Sequence, residues 1–225
     1  TTTLSAIAGL LKAYRGQVLV KGKNINKYKN CELYTNCIAY LPQNPTTVFL
    51  EKTVEADLIA CCKNMKYSNE YSTNKIAEIV EMLDIKDLLT SHPYDLSGGE
   101  QQKAALAKVL LLNPEILLLD EPTKAIDAHS KMVLCGIIEN LKQSGVTIIT
   151  VTHDVEFAAC AADRVSMFFD GEIVSVDEPC KFFSENVFYT TAASRIAKGY
   201  FKNAVTCEQV SKLCMLNKKA VVSDD

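Results

Sequence analysis

Apolar and polar positions change their period along this chain, and each change marks an element. Over residues 1–11 the apolar residues fall at Leu4, Ile7, Ala8 and Leu11, the spacing of a helix that should break near Gly16. Residues 17–20 read as a short strand ending in the turn-prone Lys21-Gly22-Lys23, and residues 37–41 as a second strand stopped by Pro42. From 53 to about 89 the pattern is helical, with a stripe through Ile76, Ile79, Val80, Leu83 and Leu88. Another long helix follows Gly99 through Ala104, Ala105, Leu106, Val109 and Leu110.

Residues 116–119 are wholly apolar, as expected of a strand covered on both faces. Helix is expected over 127–142, and a strand rich in β-branched residues over 146–152. Two further strands, 165–169 and 172–176, flank the hairpin signal Asp170-Gly171. Such alternation predicts an α/β fold with a largely parallel sheet and helices on its faces. The alternation stops near Ser184: residues 192–201 and 207–213 read as helices, and 221–225 as a frayed end.

Where parallel strands end is where open α/β sheets place their ligands. Three of these strands lead into reactive polar groups: 37–41 into Gln43, 116–119 into Asp120 and Glu121, and 146–152 into His153. If the strands are parallel, an amide, two carboxylates and an imidazole gather at one edge. Asp120, at a strand end, suits contact with a hard cation such as Mg²⁺, which prefers oxygen ligands. Glu121 is expected to point away from its neighbour, because side chains alternate along a strand, and could polarise a water. The competing readings are an acidic turn, a capping or core histidine, and a turn amide between two prolines. Ser97-Gly98-Gly99 opens the long helix, whose unpaired amides and dipole favour an anion; the plainer reading is Ser97 as a helix N-cap.

Composition narrows the classes. A net charge of −3 with no long basic run argues against broad nucleic-acid affinity. No apolar run approaches the ~20 residues of a membrane span. The nine cysteines, at 31, 37, 61, 62, 135, 160, 180, 207 and 214, include no C-x-x-C pair and are expected to be free, mostly buried thiols. The three histidines lack ligand spacing with them, which argues against zinc. His92 and His129 are expected at the surface.

Asp95-Leu-Ser-Gly-Gly-Glu-Gln-Gln-Lys103, followed by Ile116-Leu-Leu-Leu-Asp-Glu-Pro-Thr123, resembles the signature and Walker B motifs of ABC-type ATPases. The resemblance covers about residues 1–176 and implies a P-loop NTPase-like core with an inserted helical lobe (about 44–94) and a helical C-terminal tail. On this reading residues 1–183 form the ATPase domain and 184–225 the tail. It implies ATP and Mg²⁺ as cofactors. Glu121, His153 and Gln43 become the catalytic set. Asp120, Gln43 and Thr1 become metal contacts, and Thr1, Thr2, Ser97, Gly98, Gly99, Glu100 and Asp127 nucleotide contacts. His153 resembles the switch histidine that touches the γ-phosphate. Asp127, in Lys124-Ala-Ile-Asp127, matches the loop that crosses to a second ATPase domain, so the working unit is expected to be a dimer or tandem pair.

The family grips phosphate with G-x-x-G-x-G-K-[ST]. Residues 1–11 resemble the helix after that loop, with Thr1 on its final Ser/Thr. The expectation is therefore a chain cut within the motif, which alone hydrolyses little or no ATP. Pro42-Gln-Asn-Pro45, Val48-Phe49 and Thr53-Val-Glu-Ala-Asp57 look like the ATPases of energy-coupling factor importers for vitamins or metal ions. The segment from Phe182 to Ala197 resembles the tail of their tandem members, making this a second ATPase half. Implied partners are a transmembrane subunit, contacted through residues 53–89 at the cytoplasmic face of the membrane, and a substrate-binding membrane component; no nucleic acid is implied. Glu100 and Lys103 stand where many relatives carry Gln and Arg. A degenerate regulatory partner and a soluble, non-transport ABC protein remain the alternatives.

Overall fold

The computed structural model describes residues 1–186, 188–201 and 203–222. They form two compact units, 1–152 and 153–225. The first opens with α1 (Thr2–Ile7), shorter than the helix expected over 1–11. Gly9 ends it by taking a left-handed φ of 75°, and the Gly9 and Leu10 amides turn back to the carbonyls of Ala6 and Ser5. Leu10 and Leu11 are thereby left exposed.

β1 (Leu19–Val20) pairs antiparallel with β2 (Lys23–Asn24) around Lys21-Gly22, both at positive φ. The expected strand over 17–20 is thus one arm of a very short hairpin. A helix absent from the sequence expectations, α2 (Asn30–Tyr34), leads into β3 (Ile38–Leu41). Then come α3 (Val54–Asn64), capped by the Thr53 hydroxyl, and α4 (Asn69–Leu83), capped by Ser68 and ended by Asp84 at left-handed φ. α5 (Gly98–Leu110) returns the chain to the sheet as β4 (Ile116–Asp120), and α6 (Ala128–Gln143) connects to β5 (Thr147–Val151).

β3, β4 and β5 make a three-stranded sheet in that order, parallel throughout. The central strand is the most deeply covered, with Leu117, Leu118 and Leu119 fully buried, which is why it reads as an unbroken apolar run. Leu118 packs with Leu4 and Ala8 of the α1 segment, Val20, Ile25, Leu33, Cys37 and Ile38. That packing holds the start of the chain beneath the end of β4.

In the second unit, α7 (Val155–Ala161) precedes an antiparallel hairpin of β6 (Val165–Phe169) and β7 (Glu172–Asp177), turned at Asp170-Gly171 as the pattern predicts. α8 (Pro179–Glu185), α9 (Ala192–Ala197) and α10 (Cys207–Val222) follow. Phe182, Phe183, Ala159 and Val205 form its core. The helix expected over 192–201 ends at Ala197, and the one over 207–213 runs on to Val222. Of the end expected to fray, residues 223–225 lie outside the described residues.

The expectation of mostly buried thiols fails. All described cysteines are free, but Cys37, Cys61 and Cys62 are the buried ones, while Cys160, Cys207 and Cys214 are exposed on helices of the second unit. Burial pushes the Cys61 thiol up to about 11, so it is neutral. Among the described residues no helix is long and apolar enough to cross a membrane.

Candidate active site

Register brings the strand ends together. Leu41 lies opposite Leu119, Leu119 opposite Thr150, and Asp120 opposite Val151. The chain therefore leaves all three strands at one edge: toward Gln43 from β3, through Asp120 and Glu121 from β4, and through Thr152 from β5.

Asp120 has 0% exposure, and each of its oxygens accepts a hydrogen bond. Oδ1 accepts from the Thr1 hydroxyl at 3.1 Å, and Oδ2 from the Tyr40 hydroxyl at 3.0 Å. A buried carboxylate needs such donors. Burial pushes the Tyr40 phenol above its ordinary value; a hydrogen bond with Ser5 opposes this, and the bond to Asp120 adds to it. Tyr40 is thus a donor at neutral pH.

Strand alternation does not govern Glu121. β4 stops at Asp120, and Glu121 takes a left-handed φ of 50°. For a residue with a side chain this conformation costs about 1–2 kcal/mol, and it persists because neighbours enforce it. Its amide donates to the Val151 carbonyl at 2.8 Å, and its Oε2 accepts from the Thr152 hydroxyl at 3.4 Å. Backbone strain of this kind clusters at functional sites. Ala125, four residues on, has φ of 60°.

A second cluster surrounds the glycine turn. Ser97 caps α5 in a reciprocal box: Glu100 Oε2 accepts from the Ser97 amide (2.8 Å) and hydroxyl (2.6 Å), and the Glu100 amide donates to Ser97 Oγ. These bonds hold the Glu100 carboxyl below its usual range. The expectation of unpaired amides at this helix start is corrected to that extent, since those of Ser97 and Glu100 are taken internally. A Cβ on Gly98 would come within 3.0 Å of the Ala125 carbonyl oxygen, and one on Gly99 would meet Ser130 Oγ at 3.5 Å. The glycine turn and the turn before α6 are direct neighbours.

Asp127 is the N-cap of α6. Its Oδ1 accepts from the amides of His129 (2.9 Å) and Ser130 (3.0 Å), and Oδ2 from the Ser130 hydroxyl (2.7 Å). The Ser130 hydrogen bonds, with that of the His129 amide, pull its carboxyl down to about 2.

The structure joins Thr1, Asp120, Glu121 and Thr152 into one cluster, and 97–100 with 125–130 into another. Gln43 is exposed on the loop leaving β3, Thr2 is exposed on the first turn of α1, and His153, also exposed, begins the second unit. His92 and His129 are exposed, as expected. Tyr40 and Thr152 were not anticipated. A tyrosine two positions before Pro42 was visible, but its partner emerges only from the β3–β4 register. Among the described residues no cluster of three His, Cys, Asp or Glu side chains could hold a metal alone. The Asp120 carboxylate and Thr1 hydroxyl are hard oxygen donors, and fit a Mg²⁺ that completes its shell with phosphate and water.

Residues 1–124 match the ABC transporter family. The chain is 37% identical over 198 residues to an ABC transporter ATP-binding protein of Clostridium tetani, covering 88% of this chain and 44% of that one. It is 32% identical over 185 residues to the energy-coupling factor transporter ATP-binding protein EcfA1 of Streptococcus mutans, covering 82% and 65%. Among solved structures, cbiO1 of Clostridium perfringens, part of the ABC transporter complex cbiONQ, superposes with a TM-score of 0.73 at 26% identity, covering 82% of this chain and 74% of that one. A dimeric ATP-binding cassette in a post-hydrolysis state, bound to ADP and Pi, gives 0.67 at 28% identity, covering 79% of each. The chain belongs to the ATP-binding cassette family of ABC transporters. It is homologous to the ATP-binding proteins of energy-coupling factor transporters, and spans less than half the length of the Clostridium tetani relative.

Proposed function

We propose that the protein containing this chain hydrolyses ATP to drive an importer of the energy-coupling factor type, from the cytoplasmic face of the membrane. The observation that carries this reading is the edge of the sheet, where buried Asp120 and strained Glu121 follow one another between the ends of β3 and β5. Thr1, Asp120 and Gln43 would hold Mg²⁺, which would supply charge neutralisation to the phosphates. Glu121 accepts the proton of the attacking water, and Thr152 steadies its carboxylate. Thr2 contacts phosphate, and His153 serves as the γ-phosphate contact, by its place directly after the β5 strand.

Ser97, Gly98, Gly99 and Glu100, backed by the Asp127 turn, cover nucleotide held by a second cassette. Support comes from the packing of those two turns and from the dimeric form of the similar cassette. The second cassette is another copy, a related chain or the other half of a tandem protein. Residues 53–89, beside Gln43, form the surface for a transmembrane subunit, which works with a substrate-binding membrane component on vitamins or metal ions. Residues 1–183 act as the cassette and 184–225 as its tail.

Residues 1–225 contain no G-x-x-G-x-G-K-[ST] loop, so this stretch by itself hydrolyses little or no ATP. Micromolar affinity of the isolated stretch for a fluorescent ATP analogue contradicts that. The wider reading is tested by affinity purification of the natural full-length protein from membranes. A co-purifying transmembrane subunit whose presence raises Glu121-dependent ATP turnover supports it, and association with ribosomes or DNA in its place overturns it.

A further inference from the structure

The polar groups around Asp120 divide unevenly. Thr1 stands on the exposed side, whereas Tyr40 is half-buried, with its ring packed against the cluster of Leu4, Ile38 and Leu118. Its hydroxyl is placed by β3, the strand directly hydrogen-bonded to β4, and the register sets Tyr40 opposite Leu118, two residues before Asp120. The phenol therefore reaches along the sheet edge to Oδ2 at 3.0 Å, while Oδ1 is left to Thr1. An ionised carboxylate offers about four lone-pair directions. One donor on each oxygen fixes the plane of the group. The rigidity comes from Tyr40: a phenol has two rotatable bonds before its hydroxyl, and its ring packs against the core cluster.

We propose that Tyr40 is a positioning residue that orients the Asp120 carboxylate for the metal of the bound nucleotide. The proposal rests on the reading of Asp120 as a contact of that metal. Partners of this kind, behind a metal ligand, commonly alter metal affinity by roughly 10- to 100-fold when removed. Tyr40 touches no substrate, and acts only through Asp120.

The substitution that separates orientation from packing is Tyr40→Phe, which keeps the ring and removes the hydroxyl. In the natural full-length protein, saturated with a non-hydrolysable ATP analogue, Mn²⁺ binding is read from the loss of the free-ion EPR signal. Thermal unfolding is followed in parallel. Tyr40→Phe is expected to weaken Mn²⁺ binding roughly tenfold, with the analogue's metal-free affinity within twofold of wild type. The Mg²⁺ concentration for half-maximal turnover should rise in step. Asp120→Asn serves as the reference and should weaken Mn²⁺ binding more strongly. If Asp120→Asn lowers Mn²⁺ affinity and Tyr40→Phe leaves it at the wild-type value, Tyr40 only packs and the proposal is overturned. If Asp120→Asn itself leaves Mn²⁺ affinity unchanged, the metal reading of Asp120 falls, and the proposal with it.

Discussion

The ammonium of Lys108, near the end of α5, rests on the carboxylate of Asp57 in α3, fifty-one positions earlier in the chain. Asp57 is 1% exposed, and the Lys108 side chain 15%. Asp57 also accepts from the amides of Leu50 (3.0 Å) and Glu51 (3.2 Å), and Lys108 donates to the Val48 carbonyl at 2.6 Å. One buried pair therefore ties the segment downstream of Gln43 to the helix that begins with the glycine turn.

Breaking that pair leaves a buried charge without its counterpart. Lys108→Met should destabilise the full-length protein by about 3–5 kcal/mol, measured as a drop in the urea midpoint, and should speed hydrogen exchange at the Leu50 and Glu51 amides. Asp57→Asn combined with Lys108→Met should recover much of the stability. Additive losses in the double variant would show that the two side chains do not act as a pair.

The two glycines of the turn should behave differently. Gly98→Ala pushes a methyl to 3.0 Å from the Ala125 carbonyl, so the turn before α6 must give way. Gly99→Ala meets only ordinary contacts at 3.5 Å and beyond. Thermal unfolding should therefore fall for Gly98→Ala and stay near wild type for Gly99→Ala. ATP-dependent association of two cassettes, read by light scattering, should weaken for both, because a methyl keeps the backbone from a phosphate.

Asp127 makes a pH prediction. Its carboxyl is depressed in the folded state, chiefly by the Ser130 hydroxyl and amide, so its contribution is complete above the ordinary aspartate range. That contribution disappears as pH falls toward about 2. Amide exchange at His129 and Ser130 should be slow at pH 5 and quicken between about 4 and 2. Asp127→Ala should abolish this transition. An Asp127 carboxyl that titrates at the ordinary value, followed by its ¹³C shift, would remove the cap from the account.

Glu121 should show function at odds with stability. Glu121→Gly relieves the left-handed backbone, so stability should rise by about 1 kcal/mol while ATP turnover is lost. A fall in the denaturation midpoint would mean that the side chain's contacts outweigh the strain.

How much of this was legible follows from what each element depends on. β3 and β4 could be read because burial on both faces writes a nearly continuous apolar run, β5 because it is rich in β-branched residues, and the Asp170-Gly171 hairpin because its turn needs particular residues. α1 was overestimated: Leu10 and Leu11 continue the apolar count, yet Gly9 ends the helix first. Asp120 and Glu121 were placed at a strand end correctly. Strand alternation was the wrong guide to Glu121, since a positive φ on a glutamate leaves no trace in apolar spacing. Tyr40 with Asp120, Lys108 with Asp57, and Gly98 against Ala125 depend on register and helix packing, which bring together residues 80, 51 and 27 positions apart. No local pattern records such pairs.

The central proposal is that the carboxyl edge of this sheet is where ATP is hydrolysed, with Glu121 as the base. The direct measurement is the Mg²⁺-dependent ATP turnover of the natural full-length protein, assembled with its partner cassette, against the same assembly carrying Glu121→Gln. Turnover should fall by roughly 10²- to 10⁴-fold while ATP binding is retained. Equal turnover in the two assemblies would contradict the account.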